Sequence, residues 1–415
     1  MTTDESETPR DSREDGGAPK DHAPRAAGRG DLAAPALVAL ERLVDSLVEA
    51  GAASAAMALV GDGRSIEWSR AAGWARGGPS SGRPAEAATW FDYGSLTKPF
   101  VATLALELDR TGELPLGTRL GEALAGADRR LAALPLADLL RHRAGLPGWT
   151  PLYARCRSVA EVEALLLSGD LLGARSGTYS DLDYLLWGLA AERTLGQPLA
   201  ALVGERVLAP LGMDGSIAAV PGDLPQVAES RMDSGREVEL AARQGIAAAL
   251  LSPPPIGLPQ DGNARFLSAL GEIGSMGAIG AQCAPDTPAG SSRGVLWGFA
   301  GLFGTAAGLW RLGAEWLEPR LLLHSETVAA ALAGGGPFAL GWWRRRSHGG
   351  GGGPALSAGS FGHTGFAGGS LWIDPRRARV FVLLAHRLDP AINLNRWRRR
   401  FHAAAARAFL PAHDV

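Results

Sequence analysis

The sequence predicts a mixed α/β fold of the α+β type, with one antiparallel sheet built from both ends of the ordered chain. Two strand-like runs lie near the start, at 56–60 and 65–74, and two more near the end, at 369–374 and 379–386. The middle, about 113–335, is rich in Leu and Ala with helical periodicity. The most economical assembly is a single sheet flanked by the terminal helices, with an all-helical domain inserted between its strands.

The first elements follow a leader that differs in composition from the rest of the chain. Residues 1–31 are mostly Asp, Glu, Arg, Gly, Pro and Ser, so we expect this leader to be disordered and order to begin near Leu32. Apolar residues then recur at i, i+3 and i+4 over 37–48, which predicts an amphipathic helix. Gly61-Asp62-Gly63 separates the first two strand-like runs, and Asp-Gly between apolar runs indicates a β-hairpin.

Helical periodicity and breaker residues define the later elements. A helix is expected from about Lys98 to Leu108, and Gly112 suits its C-terminal cap. The clearest helices of the middle are Leu136–Arg143 and Leu182–Leu195, and the Gly-, Pro- and Ser-rich stretch 252–294 predicts long loops. Near the end, Gly349–Gly353 predicts a loop, Pro375-Arg376-Arg377 the turn of a second hairpin, and Pro390–Leu410 a closing helix.

These elements predict two lobes after the leader. Residues 32–112 together with 336–410 are expected to form the α/β sheet lobe, because both strand pairs fall within them. Residues 113–335 are expected to form the helical lobe. Binding sites favour the clefts between such units, so we expect the active site where the two lobes meet.

Composition and charge exclude several classes of protein. Lys and Arg total 41 against 43 Asp and Glu, and the net charge of −2 gives no overall attraction to nucleic acid or an anionic membrane. Cys156 and Cys283 are the only cysteines, so there is neither a disulfide framework nor a zinc-binding spacing. No stretch approaches the roughly 18 apolar residues of a membrane helix, and without a signal core the expected location is cytoplasmic. The basic runs Arg398–Arg400 and Arg344–Arg346 are interpreted as solvated faces.

Ser95-Leu96-Thr97-Lys98, at the start of a predicted helix, is the sharpest local motif. Residues three apart lie on one helix face, so Lys98 is within reach of the Ser95 hydroxyl. A serine is a weak nucleophile until a base takes its proton, and a desolvated lysine can be that base, whereas arginine stays protonated. Pro99 disfavours helical geometry at Lys98, which an irregular first turn would tolerate.

The scarcity of lysine adds weight to this motif. Ser-x-x-Lys alone occurs by chance in many proteins. Here, however, only two of the 41 basic residues are lysines, and apart from Lys20 in the leader the only one is Lys98. A lysine three residues after a serine therefore indicates a need for a cation that can release a proton.

Tyr179-Ser180-Asp181 precedes the helix predicted from Leu182 and is a second candidate. A phenolic oxygen can relay a proton if cationic neighbours lower its pKa. Ser180 and Asp183 equally fit a capping box, and Asp181 in a first turn suits the helix dipole. Both a catalytic and a structural interpretation are open for this motif, in which Tyr179 is either a relay or a buried aromatic residue.

His363-Thr364-Gly365 follows the glycine-rich loop and precedes the strand predicted at 369–374. Small residues at an edge strand let a substrate backbone or acyl group approach closely. Taken alone, the same residues fit an exposed strand end with a surface histidine, so their functional interpretation depends on the other two motifs.

Together the three motifs resemble those of the penicillin-recognising serine hydrolases, in the same order and at the same wide spacing. The branch of class C β-lactamases, DD-peptidases and esterases is the most similar. The resemblance covers roughly residues 33–410 and implies a β-lactamase/transpeptidase-like fold. Flanking segments also agree, namely Phe91–Ala102, Leu136–Pro147, Val203–Met213, Ala300–Leu309 and Gly362–Pro375.

The resemblance also implies roles for individual residues. Ser95 would be the acylated nucleophile, and Lys98 and Tyr179 the pair that takes its proton and then protonates the leaving group. The oxyanion hole would consist of the backbone N–H groups of Ser95 and Phe366. Water would hydrolyse the acyl-enzyme, with no metal or organic cofactor. The residues implied in substrate binding are Asp181, His363, Thr364 and Gly365.

Two departures from the family's pattern bear on substrate. Asp181 stands where the β-lactamases usually have Asn, so it cannot donate an amide hydrogen bond, and its charge favours a charged Lys98 that lowers the pKa of Tyr179. His363 stands where lysine is usual, so the permanent cation opposite a substrate carboxylate is lost near pH 7. Both changes weaken the case for an efficient β-lactamase or a carboxylate-binding peptidase.

The expected function is that of a serine hydrolase that cleaves a small-molecule ester or amide through an acyl-enzyme, most like an esterase. The alternatives are β-lactamase or D-amino-acid peptidase activity, and a non-catalytic binding or regulatory protein on the same fold. An α/β-hydrolase is poorly supported, because neither Gly-x-Ser-x-Gly match, at 78–82 or 290–294, joins a predicted strand to a predicted helix as a nucleophile elbow does. Neither a nucleic-acid nor a membrane partner is expected, and the oligomeric state is open.

Overall fold

The computed structural model describes residues 34–150, 152–156, 159–219, 227–228, 296, 298–345, 350–388 and 392–409. The leader predicted to be disordered and the long loops predicted at 252–294 lie outside these residues. The boundaries proposed above for the two lobes stay a prediction.

Strands from both ends of the chain meet at the centre of one sheet. The described strands are β1 (Ala53–Gly61), β2 (Ile66–Arg76), β3 (Arg83–Pro84), β4 (Phe91–Asp92), β5 (Ile217–Ala218), β6 (Phe303–Gly304), β7 (Phe338–Ala339), β8 (Trp342–Arg344), β9 (Phe361–Thr364), β10 (Ser370–Asp374) and β11 (Arg379–Arg387). Eight of them form an antiparallel sheet in the order β3-β2-β1-β11-β10-β9-β8-β7. β1 pairs with β11, with Ala58 opposite Leu383, so the predicted sheet built from both chain ends is confirmed.

Three short strands form a second sheet, and one of them, β4, ends three residues before Ser95. Their order is β4-β6-β5, and Phe91 of β4 pairs with Gly304 of β6. The N–H of Tyr93 continues this contact by donating to the Leu302 carbonyl at 3.0 Å. The chain therefore enters the Ser95 turn from a hydrogen-bonded strand.

Helices flank the large sheet and make up most of the middle of the described chain. They are α1 (Ala34–Glu49), α2 (Thr97–Thr111), α3 (Leu120–Ala123), α4 (Arg129–Ala132), α5 (Leu136–Leu140), α6 (Leu152–Arg155), α7 (Val159–Leu167), α8 (Asp181–Leu195), α9 (Leu199–Val203), α10 (Ala306–Leu317), α11 (Ser325–Leu332) and α12 (Leu394–Ala408). Within the described residues, none of these helices has the length and apolar character that crossing a bilayer requires.

The alternation of β1 side chains separates two helix layers. Ala58 and Val60 belong to the buried cluster that holds Leu40 of α1 and Phe401 of α12. Leu59, between them, faces the opposite side and belongs to the larger cluster that includes α2 and α10. Successive strand residues point to opposite faces, so both faces of the sheet are covered by apolar side chains.

Two predicted helix boundaries differ from the observed ones. The helix predicted over Leu136–Arg143 ends at Leu140, because the chain turns and His142 adopts a left-handed φ of 55°. The closing helix begins at Leu394 and not at Pro390, because the Asn393 side chain accepts the N–H of Asn395 and caps the first turn.

Arg398 departs from the interpretation of the basic runs as solvated faces. Its side chain, on α12, is only 5% exposed, whereas Arg396, Arg399 and Arg400 on the same helix are exposed. The solvated-face interpretation is therefore wrong for Arg398. The helical periodicity turns this one arginine inward, where it binds backbone carbonyl groups of the loop after β9.

Candidate active site

A tight turn carries Ser95 between β4 and α2. Gly94 has a φ of 49°, in the left-handed region that favours glycine. Its N–H donates to the Asp92 carboxylate at 2.7 Å, and the Asp92 N–H donates to Nε2 of His386 at 3.0 Å. Residues Gly94–Leu96 form one turn of 3-10 helix that runs directly into α2. The half-buried Ser95 therefore lies at the start of the helical segment, on a turn held by buried hydrogen bonds.

Lys98 is a buried cation next to Ser95. Its side chain is fully buried, and Nζ donates to Ser95 Oγ at 3.1 Å, to Asp181 Oδ1 at 2.6 Å and to the Phe299 carbonyl at 3.2 Å. Burial lowers the pKa of Lys98, and the neighbouring Asp181 opposes that shift. Lys98 therefore releases a proton more readily than an exposed lysine, while its charged form keeps a carboxylate partner.

Tyr179 packs its ring against the Lys98 amine. Lys98 Nζ is 4.8 Å from the centroid of its ring, and its hydroxyl has Ser95 and Asp181 as hydrogen-bonding neighbours. Burial raises the pKa of Tyr179 well above its ordinary value, and the Asp181 charge adds to the shift. The net shift is upward, because desolvation and the carboxylate outweigh any lowering of the Tyr179 pKa by the Lys98 charge. Tyr179 is a neutral phenol near pH 7, able to donate as well as accept a hydrogen bond.

The N-terminus of α8 carries the rest of the Tyr-Ser-Asp motif. Ser180 caps the helix, because its Oγ accepts the Asp183 N–H at 3.4 Å and donates to the Pro147 carbonyl at 2.7 Å. In a full capping box the Asp183 side chain would accept the Ser180 N–H. Here that N–H donates instead to Nδ1 of His142 at 3.1 Å. Asp181, the first residue of α8, is 18% exposed and bound to Lys98. The cap thus presents one carboxylate to the site.

His142 lies behind Tyr179 and belongs to no catalytic motif in the sequence. Its ring centroid is 4.6 Å from that of Tyr179, and its carbonyl accepts the Gly177 N–H at 2.8 Å. Burial holds the pKa of His142 well below its ordinary value, so Nδ1 is free to accept from Ser180. His142 therefore ties both ends of the Gly177–Ser180 turn. The resemblance over 136–147 is the signal that could have found it.

The end of β9 brings the third motif against the Ser95 turn. His363 is 2% exposed, with Nδ1 2.9 Å from the Thr364 carbonyl oxygen, and burial lowers its pKa to about 3. The interpretation as a surface histidine is therefore wrong, and the imidazole is neutral near pH 7. A Cβ on Gly365 would lie 2.4 Å from the Tyr93 carbonyl oxygen, so only glycine allows this close approach.

The amide of Phe366 lies next to the residue that precedes Ser95. Phe366 N would be 3.3 Å from a Cβ on Gly94. The Phe366 ring is 49% exposed, and the Arg387 guanidinium lies 4.9 Å from its centroid. The structure therefore brings the three motifs to one place, between the starts of α2 and α8 and the end of β9.

The side chains gathered here include groups that acyl transfer can use. Among the residues that the structure describes, no group of three or more His, Cys, Asp or Glu side chains could hold a metal ion. The participants near Ser95 are instead a hydroxyl, a buried amine and a neutral phenol. That no metal or organic cofactor takes part stays a prediction.

Comparison with known families and sequences identifies relatives of the chain. The model of the Beta-lactamase family matches residues 40–405. Esterase EstB from Burkholderia gladioli is 32% identical over 273 residues, which cover 57% of this chain and 69% of that protein. A family match over most of the length supports the resemblance drawn from the three motifs.

Two solved structures share the fold at low sequence identity. EstCE1, described as a hydrolase with promiscuous acyltransferase activity, has a TM-score of 0.64 at 17% identity, covering 89% of this chain and 98% of that one. A class C β-lactamase from Rhodobacter sphaeroides has a TM-score of 0.61 at 18% identity, covering 88% and 98%. The predicted β-lactamase/transpeptidase-like fold is thereby confirmed. With the family model matched from residue 40 to residue 405, this chain belongs to the Beta-lactamase family and is a serine hydrolase of that family.

Proposed function

We propose that this serine hydrolase is an esterase that cleaves small-molecule esters through an acyl-enzyme on Ser95. The observation that carries the proposal is the 3.1 Å hydrogen bond between Lys98 Nζ and Ser95 Oγ. It is made by a fully buried lysine whose burial lowers its pKa. A serine hydroxyl becomes a nucleophile when an adjacent base takes its proton, and the neutral Lys98 amine is placed to do so.

Acylation uses Lys98 and Tyr179 as one proton-carrying pair. The Ser95 oxygen attacks the ester carbonyl carbon while its proton passes to neutral Lys98. As the bond to the leaving alkoxide breaks, Tyr179 donates its O–H proton to that oxygen and regains a proton from Lys98. Water then attacks the acyl-enzyme and gives its proton to the same pair, which returns it to Ser95 as the acid leaves.

The carbonyl oxygen gains negative charge in both steps, and backbone N–H groups stabilise it. The proposed donors are the amides of Ser95 and Phe366. Two contacts support this pairing: Phe366 N lies beside Gly94, and the missing Cβ of Gly365 lets the strand end approach the Tyr93 carbonyl. The fixed donors are oriented before the substrate arrives, so little reorganisation is needed during the reaction.

Asp181 and His363 favour esters over carboxylate-bearing substrates. Asp181 presents a partly exposed anion to the site. His363, with a pKa of about 3, supplies no cation near pH 7 where the family usually has lysine. A substrate carboxylate would gain no attraction from either residue, which argues against efficient turnover of β-lactams or of D-amino-acid peptides. The relative EstB is itself named an esterase.

A substrate panel with a covalent probe tests this proposal. We expect turnover of p-nitrophenyl esters of short acyl chains that exceeds turnover of a chromogenic cephalosporin and of D-amino-acid anilides. A fluorophosphonate should add to Ser95, as detected by mass spectrometry, and both signals should vanish in Ser95→Ala. Ser81→Ala, at an exposed serine, is the matched control. An unlabelled Ser95, with no ester turnover, would favour the non-catalytic alternative, and preferred cephalosporin turnover the β-lactamase.

A further inference from the structure

Arg398 is a buried arginine that the proposed mechanism does not use. A guanidinium is costly to bury unless its donors are satisfied. Here Nη2 donates to the Gly365 carbonyl at 2.6 Å, Nε to the Gly368 carbonyl at 3.2 Å and Nη1 to Asn395 Oδ1 at 2.8 Å. Two of these three acceptors belong to the loop that directly follows β9.

The same loop carries Phe366, the proposed oxyanion donor. The Gly365 carbonyl and the Phe366 N–H belong to one peptide group, and in a planar trans peptide the two point in opposite directions. A guanidinium bound to the carbonyl therefore determines where the N–H points. The Phe366 nitrogen lies on the side of Gly94, next to Ser95.

The bond from Arg398 also affects the strength of the Phe366 donor. Hydrogen bonds to a charged group are roughly twice as strong as neutral ones. Hydrogen bonds in series polarise one another, so charge drawn toward the Gly365 oxygen leaves the Phe366 hydrogen more positive. Burial lowers the pKa of Arg398 to about 9, and the guanidinium therefore remains charged near pH 7.

We propose that Arg398 is a positioning residue for the oxyanion hole, which holds the Gly365–Phe366 peptide group with its N–H toward Ser95 and polarises that N–H. The inference rests on the proposed function, because it requires an oxyanion to form at Phe366. Arg398 reaches no reacting atom and acts only through the peptide group. Asn395, one turn earlier on α12, binds Nη1 and orients the guanidinium.

Kinetics of three variants test the role of Arg398. Arg398→Met removes the charge and the donors at similar volume, and Arg398→Lys keeps one charged donor. Arg396→Met, at an exposed position of the same helix, is the matched control. For each variant, kcat and KM are measured with a p-nitrophenyl ester, and kcat is calculated per Ser95 labelled by a fluorophosphonate. Unfolded protein then does not lower the apparent rate, and thermal melting reports folding separately.

We expect Arg398→Met to lower kcat by about 10- to 100-fold, the range for a misplaced transition-state contact. KM should change little, because the oxyanion forms only in the transition state. Arg398→Lys should recover part of kcat, and Arg396→Met should match the wild type. A kcat in Arg398→Met within about twofold of the wild type, a lysine variant no better than the methionine variant, or failure of both to fold would each overturn the inference. A wild type without ester turnover would instead overturn the proposed function, and this inference with it.

Discussion

The two sides of Ser95 are built from different parts of the protein. On the helical side, the proposed roles of Lys98 and Tyr179 depend on side-chain atoms. On the sheet side, the proposed roles of Gly365 and Phe366 depend on backbone atoms, in a segment where the buried Arg398 binds the Gly365 carbonyl and Gly365 lies close to the Tyr93 carbonyl. Side-chain chemistry can be recognised residue by residue, whereas every non-proline residue has the same backbone N–H and C=O groups. Sequence motifs therefore reveal the side-chain half of such a site better than the half built from backbone groups.

Lys98→Arg tests the helical side and should have the largest effect. Arginine keeps the charge but stays protonated, and its planar guanidinium does not replace a compact amine between Ser95 and Asp181. We expect kcat for the p-nitrophenyl ester to fall by roughly 10²- to 10⁴-fold, measured by steady-state kinetics on folded protein. Lys20→Arg, at the only other lysine, is the control and should retain full activity. An active Lys98→Arg enzyme would remove the reason for a lysine here.

Gly365→Ala tests the sheet side without changing a catalytic side chain. The new Cβ would lie 2.4 Å from the Tyr93 carbonyl oxygen, so the strand end and the Phe366 amide must shift away from Ser95. We expect kcat to fall about 100-fold, as for a misplacement of about 1 Å, while fluorescence-monitored melting reports whether the fold survives. Gly359→Ala, where a Cβ meets nothing within 4 Å, is the matched control. Unchanged kcat in Gly365→Ala would mean that this approach is not needed for turnover.

Asp181→Asn should shift the pH dependence and not abolish activity. The Asp181 charge opposes the lowering of the Lys98 pKa by burial, so its removal lets that pKa fall further. Neutral Lys98 is then available at lower pH, and the acid limb of the kcat/KM profile should move down by about one pH unit. Asp170→Asn, at an exposed carboxylate, should leave the limb in place. A shift to higher pH would contradict the proposed base.

Asp92→Asn should have the smallest effect, on stability and not on chemistry. Burial raises the pKa of Asp92 from 3.8 to about 7, so the folded protein holds a proton there that the unfolded chain releases near pH 4. The resulting stability is complete below about pH 4 and is lost as the pH rises toward about 7. Denaturant unfolding across this range should show the wild type losing stability relative to Asp92→Asn, whose amide oxygen can still accept the Gly94 N–H. Parallel pH curves would contradict this prediction.

Local pattern was sufficient for the fold's outline but not for several turns. Apolar runs at 369–374 and 379–386 correspond closely to β10 and β11, because a strand buried on both faces shows as a short continuous apolar run in the sequence. The early end of the helix at Leu140 was not predictable in the same way. It depends on His142, whose left-handed φ accompanies bonds to Gly177 and Ser180 more than thirty residues away.

The amino-acid sequence was enough to predict the sheet built from both chain ends and the pairing of Ser95 with Lys98, and the family resemblance implied the departure at His363. The first two follow from residue types and spacing along the chain, and the third from the family's usual pattern. The directions of the pKa shifts at Lys98 and Tyr179 and the burial of Arg398 depend instead on the folded arrangement. Desolvation depends on which distant segments exclude water from a side chain, and that exclusion exists only once the chain has folded.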